Sequence, residues 1–183
     1  MRRLSGILGA LIVAAVLAAG ASAGDVNIAL TLTGGGALSL AHESAAAFET
    51  TLDGTDRTVS YTIPLTVTDN RPGQGAGWNL TITSTTFVDA DGAALATGAS
   101  RITSSTASCP GHAKCRLPRN TVSYPLGVPA GTTPPAAVKF FNARAKSGTG
   151  TVVVAPQIAV TVPGNSFAGT YESTVVIAIN SGP

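Results

Sequence analysis

The sequence has few of the side chains on which acid–base and nucleophilic catalysis depend. Histidine occurs only at His42 and His112, and charged residues make up just 11% of the chain. His42 is followed by Glu43 and Ser44, but adjacent residues of a strand point to opposite faces, so these three cannot converge as a catalytic triad. No glycine loop of the phosphate-binding kind leads into a Lys-Ser or Lys-Thr pair. We therefore predict that the protein is not an enzyme and that it has no cofactor.

Long apolar runs are also missing, except near the start of the chain. A pair of arginines precedes the apolar segment 7–19, and the small residues Ala21-Ser22-Ala23 follow it. A positive start, a short apolar run and a small-residue site are the three parts of a secretion signal, and the run is too short to span a bilayer comfortably. We predict that residues 1–23 are a signal peptide and that residues 24–183 form a single exported domain.

Cysteine occurs only twice, at Cys109 and Cys115. In an exported chain two cysteines indicate a disulfide, and Pro110 and Gly111 supply the turn that would bring the two together. The alternative is a metal site, because Cys109, His112 and Cys115 are spaced three residues apart. Structural zinc needs four ligands, however, and the sequence has no second cluster to complete the set. We predict a disulfide and no metal.

Charge is scarce and unevenly distributed. Eleven basic and nine acidic residues are present, and loss of the arginine pair with the signal peptide leaves nine of each. Eight of the nine acids fall between Asp25 and Asp91, whereas no acid occurs among the seven basic residues Arg101, Lys114, Arg116, Arg119, Lys139, Arg144 and Lys146. A neutral domain with a basic half has a dipole suited to an anionic partner. The alternative is an ordinary solvated surface whose acids lie nearby in space.

Several segments alternate apolar with small polar residues, which predicts half-buried strands. The clearest strand runs from Val59 to Val67, and Pro64 within it indicates an edge position or a bulge. We also expect strands at residues 25–33, 37–41, 78–83 and 171–179, with one or two more at 152–162, interrupted at Pro156.

Residues 98–149 show no such alternation, so we expect them to be irregular apart from a short strand or turn at 138–142. Asp89-Ala90-Asp91-Gly92 has the composition of a tight turn. Many short strands separated by turns predict an all-β fold, either an immunoglobulin-like or a related Greek-key β-sandwich.

Two of the predicted strands carry motifs of a known family. Gly77-Trp78-Asn79-Leu80 contains the only tryptophan of the chain in a Trp-x-Leu arrangement, and the chain closes on Gly169-Thr170-Tyr171 followed by a strand. Together they resemble the WxL domain, a cell-surface module of Gram-positive bacteria that is held non-covalently on the cell wall. Many members of that family carry a second Trp-x-Leu in the closing strand, where this chain has Ile177 and Ile179. The resemblance implies a small, single-domain WxL protein at the cell surface.

The tryptophan has two possible roles. Trp78 alternates with Leu80 and Ile82, which favours a ring in the interior of the sandwich. An exposed aromatic ring would instead be a natural platform for sugar rings of the wall. We predict a mainly structural role and keep ligand contact as the alternative.

Two functions follow from the resemblance and the charges. The first is a wall-binding module for peptidoglycan or another anionic wall polymer, with Lys114, Arg116, Arg119 and Trp78 as candidate binding residues. The second is a structural or interaction subunit that assembles with itself, or with a larger membrane-anchored surface protein, through strand edges. Nucleic acid is not expected as a partner, because the chain is exported and the mature domain is neutral.

Overall fold

The computed structural model describes residues 23–33, 37–42, 48–71, 75–111 and 114–183. All but the last residue of the expected signal peptide lie outside these ranges, so that prediction is not addressed by the fold. Within them no helix is long and apolar enough to cross a membrane. The described chain consists of strands and connections: β1 Ala23–Thr33, β2 Leu38–His42, β3 Phe48–Thr51, β4 Arg57–Thr62, β5 Leu65–Asp69, β6 Trp78–Thr85, β7 Ser100–Ser108, β8 Leu126–Gly127, β9 Ala130–Gly131, β10 Val138–Ala143, β11 Gly150–Val162 and β12 Thr170–Ser181.

The strands form two sheets that pack face to face. The first sheet has the order β10-β6-β12-β1-β3, with β9 beside β6, and the second has the order β2-β5-β11-β7-β8, with β4 beside β11. Most strands that follow one another in sequence lie in opposite sheets, so the chain crosses repeatedly between the two layers. The predicted all-β sandwich is therefore confirmed, and its core lies between the two sheets.

The predicted strand from Val59 to Val67 is present, although its ladder is interrupted. Its halves, β4 and β5, both pair with β11, and the register is the same on each side of the gap, since Thr62 pairs with Gln157 and Leu65 with Val154. The interruption coincides with Pro64 and lies opposite Pro156, two residues that have no amide hydrogen to donate. Pro64 thus removes hydrogen bonds without shifting the register, and the bulge alternative is wrong.

Two expectations for the second half of the chain are corrected. The segment 152–162 is not divided at Pro156, because β11 continues through it as a strand of 13 residues. The segment 98–149 is not irregular throughout, because it contains the nine-residue β7, which pairs with β11 over most of its length. Only Ser100 and Ile102 of β7 are buried, so the strand carries no alternating apolar pattern. Its backbone pairing with β11, which the sequence pattern does not reveal, makes it a strand.

The largest fully buried side chain is that of Trp78, at the first position of β6. Its ring stacks on Phe141 of the neighbouring β10, with 5.9 Å between ring centroids, and its Nε1 donates a hydrogen bond of 2.8 Å to the carbonyl of Gly148. A Cβ on Gly148 would lie 2.8 Å from that same nitrogen, so no larger residue fits there. The structural role predicted for Trp78 agrees with this position in the core.

The two strands that resemble the WxL motifs lie side by side. β6 and β12 are antiparallel neighbours, with Leu80 opposite Ile179 and Ile82 opposite Ile177. Ile177 is fully buried. The place where related proteins carry a second tryptophan is therefore also a core position in this fold.

We predict that Trp78→Ala lowers the free energy of unfolding by about 3–5 kcal/mol, the usual cost of emptying a buried site of this size. Phe167→Ala is the matched control, because that aromatic side chain is 72% exposed, and its replacement should cost no more than about 0.5 kcal/mol. Urea titration of both variants measures the two changes. Equal stabilities for the two variants would contradict the position of the indole in the core.

Candidate functional site

The long strands run between two ends of the sandwich, and several connections meet at each end. At one end β5 leads into β6 through residues 70–77, and β10 leads into β11 through residues 144–149. At the opposite end β6 leads into β7 through residues 86–99, and β11 leads into β12 through residues 163–169. Side chains far apart in sequence can therefore meet at one end.

Five of the seven basic residues singled out in the sequence lie on connections at the first of these ends. All five side chains are exposed. We call this surface the basic end and define it by Lys114, Arg116, Arg119, Arg144 and Lys146. The two remaining basic residues, Arg101 on β7 and Lys139 on β10, are exposed on strands and do not belong to it.

Arg116 and Arg119 lie on the connection from β7 to β8, and backbone hydrogen bonds hold this connection against the one from β10 to β11. The amide of Arg116 donates to the carbonyl of Thr149 over 2.9 Å, and the amide of Arg144 donates to the carbonyl of Arg119 over 3.4 Å. The amide of Arg119 also donates to the buried hydroxyl of Ser147 over 3.0 Å. Arg116, Arg119 and Arg144 therefore extend from a fixed backbone, although 25 residues or more separate Arg144 from the other two.

Lys146 has a backbone conformation that is unusual for a lysine. Its φ is 65°, in the left-handed region where glycine or asparagine is favoured. Its amide donates to the carbonyl of Gly75 over 3.1 Å, which fixes the tip of the loop. The chain thus has a charged side chain at a position where the backbone conformation favours glycine or asparagine.

The disulfide predicted for Cys109 and Cys115 is present, with 5.8 Å between the two Cα atoms. The ring it closes lies against the start of β11, since a Cβ on Gly150 would come within 2.5 Å of the Lys114 carbonyl. Sulfurs joined to each other cannot act as zinc thiolates, and His112, the third residue of the alternative metal set, lies outside the described residues. The disulfide holds Lys114 and Arg116 next to the loop that carries Arg144.

The acid at the basic end, Asp69, is already paired. Asp69 is 3% exposed, and its two carboxylate oxygens accept hydrogen bonds from Nε and NH2 of Arg71 over 2.7 and 2.8 Å. Hydrogen bonding by Arg71 holds the pKa of Asp69 below its usual value. The guanidinium also donates to the carbonyl of Gly77 over 2.7 Å, directly before Trp78. This buried pair leaves the five exposed cations without a neutralising acid among the described residues of that end.

The aromatic side chains near these cations are not available to a ligand. Trp78, Phe140 and Phe141 are all buried. The register of β10 against β6 shifts between Lys139 and Phe141, and Phe140 is the extra residue at this shift, so two consecutive side chains of the strand are buried. Of the predicted binding residues, Trp78 is therefore buried, whereas Lys114, Arg116 and Arg119 are exposed. Without an exposed ring among these three, the basic end also lacks the stacking platform of single-strand nucleic-acid binders.

The connection that carries Arg119 also covers the outer edge of β10. Asn120 accepts a hydrogen bond from the amide of Asn142 over 3.1 Å, and Asn142 in turn accepts one from the amide of Thr121 over 2.8 Å. The hydroxyl of Tyr124 donates to the carbonyl of Phe140 over 2.7 Å. This part of the edge is satisfied within the chain, so it is not free to add a strand from a partner.

Sequence reasoning found three members of the basic end and missed that Arg144 and Lys146 complete it. The signal was present, since both belong to the acid-free basic stretch. The sequence predicted only a short strand or turn at 138–142 and did not reveal the direction of β10, which returns the chain to the end where Arg119 lies.

A model of the protein family described as WxL domain surface cell wall-binding matches residues 34–183. The match includes every residue of the basic end and all strands from β2 to β12, and it leaves β1 outside. No curated protein is similar enough to this chain to count as a match.

We predict that the Asp69–Arg71 pair makes stability depend on pH in the acid range. The folded pKa of Asp69 is lowered, so the pair contributes fully above the unfolded value of about 3.9, and its contribution is lost as the pH falls through the folded pKa. Asp69→Asn should cost about 3 kcal/mol at pH 7, because it leaves Arg71 without its charge partner, and should flatten the loss of stability below pH 4. Urea titrations at pH 7 and pH 3 measure both effects. The exposed Asp91→Asn is the control and should change neither.

We predict that the exported protein has a mass lower by two hydrogens before reduction than after it. The closed loop is short, so the chain-entropy contribution of the bond is about 2 kcal/mol, and the Cys109→Ala/Cys115→Ala variant should remain folded. Intact-mass measurement and thermal unfolding test the two statements. Two free thiols in the exported protein would contradict the first.

Proposed function

We propose that this protein attaches to the cell wall non-covalently through its basic end. The proposal starts from the family, because the chain belongs to the WxL family of surface domains that bind cell walls. In this proposal the five cations of the basic end contact anionic groups of the wall, either the carboxylates of peptidoglycan or the phosphates of another anionic wall polymer. The protein acts as a binding module without catalysis, and its N-terminal segment directs it to the secretory route.

The observation that carries the proposal is the charge of the basic end. Its five cations are exposed and lie on connections bound to each other, and the acid beside them is paired with Arg71. Three of the five are arginines, whose planar guanidinium groups can donate two parallel hydrogen bonds to a carboxylate or a phosphate. A surface of this kind attracts a repeating anionic polymer, because several weak contacts can form at once.

A neutral net charge strengthens the argument. The mature domain is expected to carry nine basic and nine acidic residues, so it would have no general attraction to anions. Any binding to an anionic polymer must come from the local field of one surface. The basic end supplies such a field, whereas Arg57 is paired with Asp53 and Arg71 with Asp69.

A second candidate partner is a larger membrane-anchored surface protein. It is supported by the edges of β3 and β4, each of which has one partner strand among the described residues. An extended segment of another protein could add to such an edge. Retention on purified wall without any other protein would favour direct binding, and retention that requires a membrane-anchored protein would favour this second candidate.

We predict that Lys114→Gln/Arg116→Gln/Arg119→Gln abolishes most of the retention on purified wall without unfolding the domain. Retention of the unchanged protein should fall sharply between 0.1 M and 1 M salt, because the Debye length shrinks from about 10 Å to about 3 Å. Co-sedimentation with purified wall measures both.

The matched comparison uses two further variants, each lacking one arginine and one lysine. Arg144→Gln/Lys146→Gln removes two cations from the basic end, and Arg101→Gln/Lys139→Gln removes two exposed cations from the strands. Only the first should lower retention. Equal losses, or retention that resists both salt and the triple variant, would show that the wall is recognised elsewhere on the domain.

A further inference from the structure

Two large apolar side chains are more than half exposed among the described residues. Phe167 is 72% exposed and Leu117 is 52% exposed. Leu117 lies within the basic end, between Arg116 and Arg119 in sequence. Phe167 lies at the opposite end, on the connection from β11 to β12. The two are separated by the length of these strands, roughly 40 Å.

Two acids, Asp89 and Asp91, lie beside Phe167. We call its surface the acidic end and define it by Asp56, Asp89, Asp91, Phe167 and Glu172. A cavity of about 330 Å³ is lined by Asp89, Asp91 and Phe167 together with Ala93 and Ala168. A second cavity, of about 300 Å³, also borders Phe167 and is lined mainly by small and apolar residues, including Leu95 and Pro163.

The backbone of the acidic end is fixed although its surface is open. Asp89 accepts hydrogen bonds from the amides of Asp91 and Ala93 over 3.1 and 2.7 Å, which holds the turn predicted there. The hydroxyl of Tyr171 donates to the carbonyl of Phe167 over 3.0 Å. An exposed ring on a fixed backbone loses little freedom when it is covered, so its burial by a partner is favourable.

We propose that the acidic end binds the basic end of a second copy of this protein, with Leu117 of one copy packing beside Phe167 of the next. The charges of the two surfaces are opposite in sign, and each surface includes one exposed apolar side chain. The cavities beside Phe167 provide space for a side chain of the size of leucine. Charge complementarity sets the orientation, and the apolar contact supplies burial.

Because the two surfaces lie at opposite ends, this contact cannot close on itself within a dimer. Each added copy presents a new free end of each kind, so the association is head-to-tail and open-ended. This contact uses the acidic end in addition to the basic end, whereas the proposed wall binding uses only the basic end, so variants of the acidic end distinguish the two. It also implies competition, because an anionic polymer on the basic end would displace the neighbouring copy.

Sedimentation velocity of the exported protein over a wide range of concentrations tests the association. At about 0.02 M salt the average sedimentation coefficient should rise with concentration without levelling at a dimer, and at about 0.5 M salt it should return to that of a monomer. Arg116→Glu, Asp91→Lys and Phe167→Ala should each weaken the association about tenfold or more. Lys139→Glu is the control for charge reversal on a strand and should leave it unchanged.

Mixing the two charge-reversed variants gives the decisive measurement. Arg116→Glu carries an intact acidic end and Asp91→Lys carries an intact basic end, so an equimolar mixture should associate more strongly than either variant alone. A protein that is monomeric at every concentration, one that stops at a dimer, or a mixture that gains nothing would overturn the proposal.

Wall co-sedimentation at low protein concentration separates this proposal from the proposed function. Asp91→Lys and Phe167→Ala should retain wall binding, whereas Arg116→Glu should lose it. Loss of wall binding by Phe167→Ala in the monomeric protein would instead identify the exposed ring as a contact for wall sugars and overturn the assignment of the acidic end to a second copy. If all three variants still bound the wall, the proposed function would be contradicted, and the sedimentation result would be unaffected.

Discussion

The insertion of Trp78 between the sheets is the interaction on which the basic end of the molecule depends. Its ring fills the core at the start of β6, and its Nε1 binds the carbonyl of Gly148 in the loop from β10 to β11. Gly77, directly before it, has a φ of 79°, and a Cβ there would lie 2.3 Å from the Ala143 carbonyl. The same loop carries Arg144 and Lys146. One buried side chain thus joins the motif strand to the loop that holds two of the five cations.

The Trp-x-Leu motif is buried, so it marks the chain as a member of the family without being accessible to a ligand. Trp78, Leu80 and Ile82 all point into the core, and the equivalent positions of β12 pair with them across the sheet. Ile177 is itself an interior residue and is not part of the surface. The Trp-x-Leu motif contributes to the packing of the two strands, whereas the proposed contact with the wall lies on the loops beside them.

The distribution of charge follows from the direction of the strands. In a sandwich the interior accepts almost no charge, so ionisable side chains lie on the connections and on the outer faces of the strands. Here five cations lie at the basic end and most described acids lie at the other end, while Arg71 pairs with Asp69, the acid nearest those five cations. The opposite charges of the two ends are the basis of the proposed contacts with an anionic wall polymer and with a second copy of the protein.

The amino-acid sequence by itself determined the all-β fold, the Trp78 strand and the disulfide. These follow from local patterns: apolar alternation in β4, β5 and β6, and the short spacing between Cys109 and Cys115. Only the tertiary structure decided that β7 is a strand, that β11 continues through Pro156, and that Arg144 and Lys146 join Lys114, Arg116 and Arg119. Backbone pairing between distant segments makes a polar segment a strand, and the path of the strands brings distant loops to one end. Neither leaves a periodic signal in the sequence, because both depend on partners that are far away along the chain.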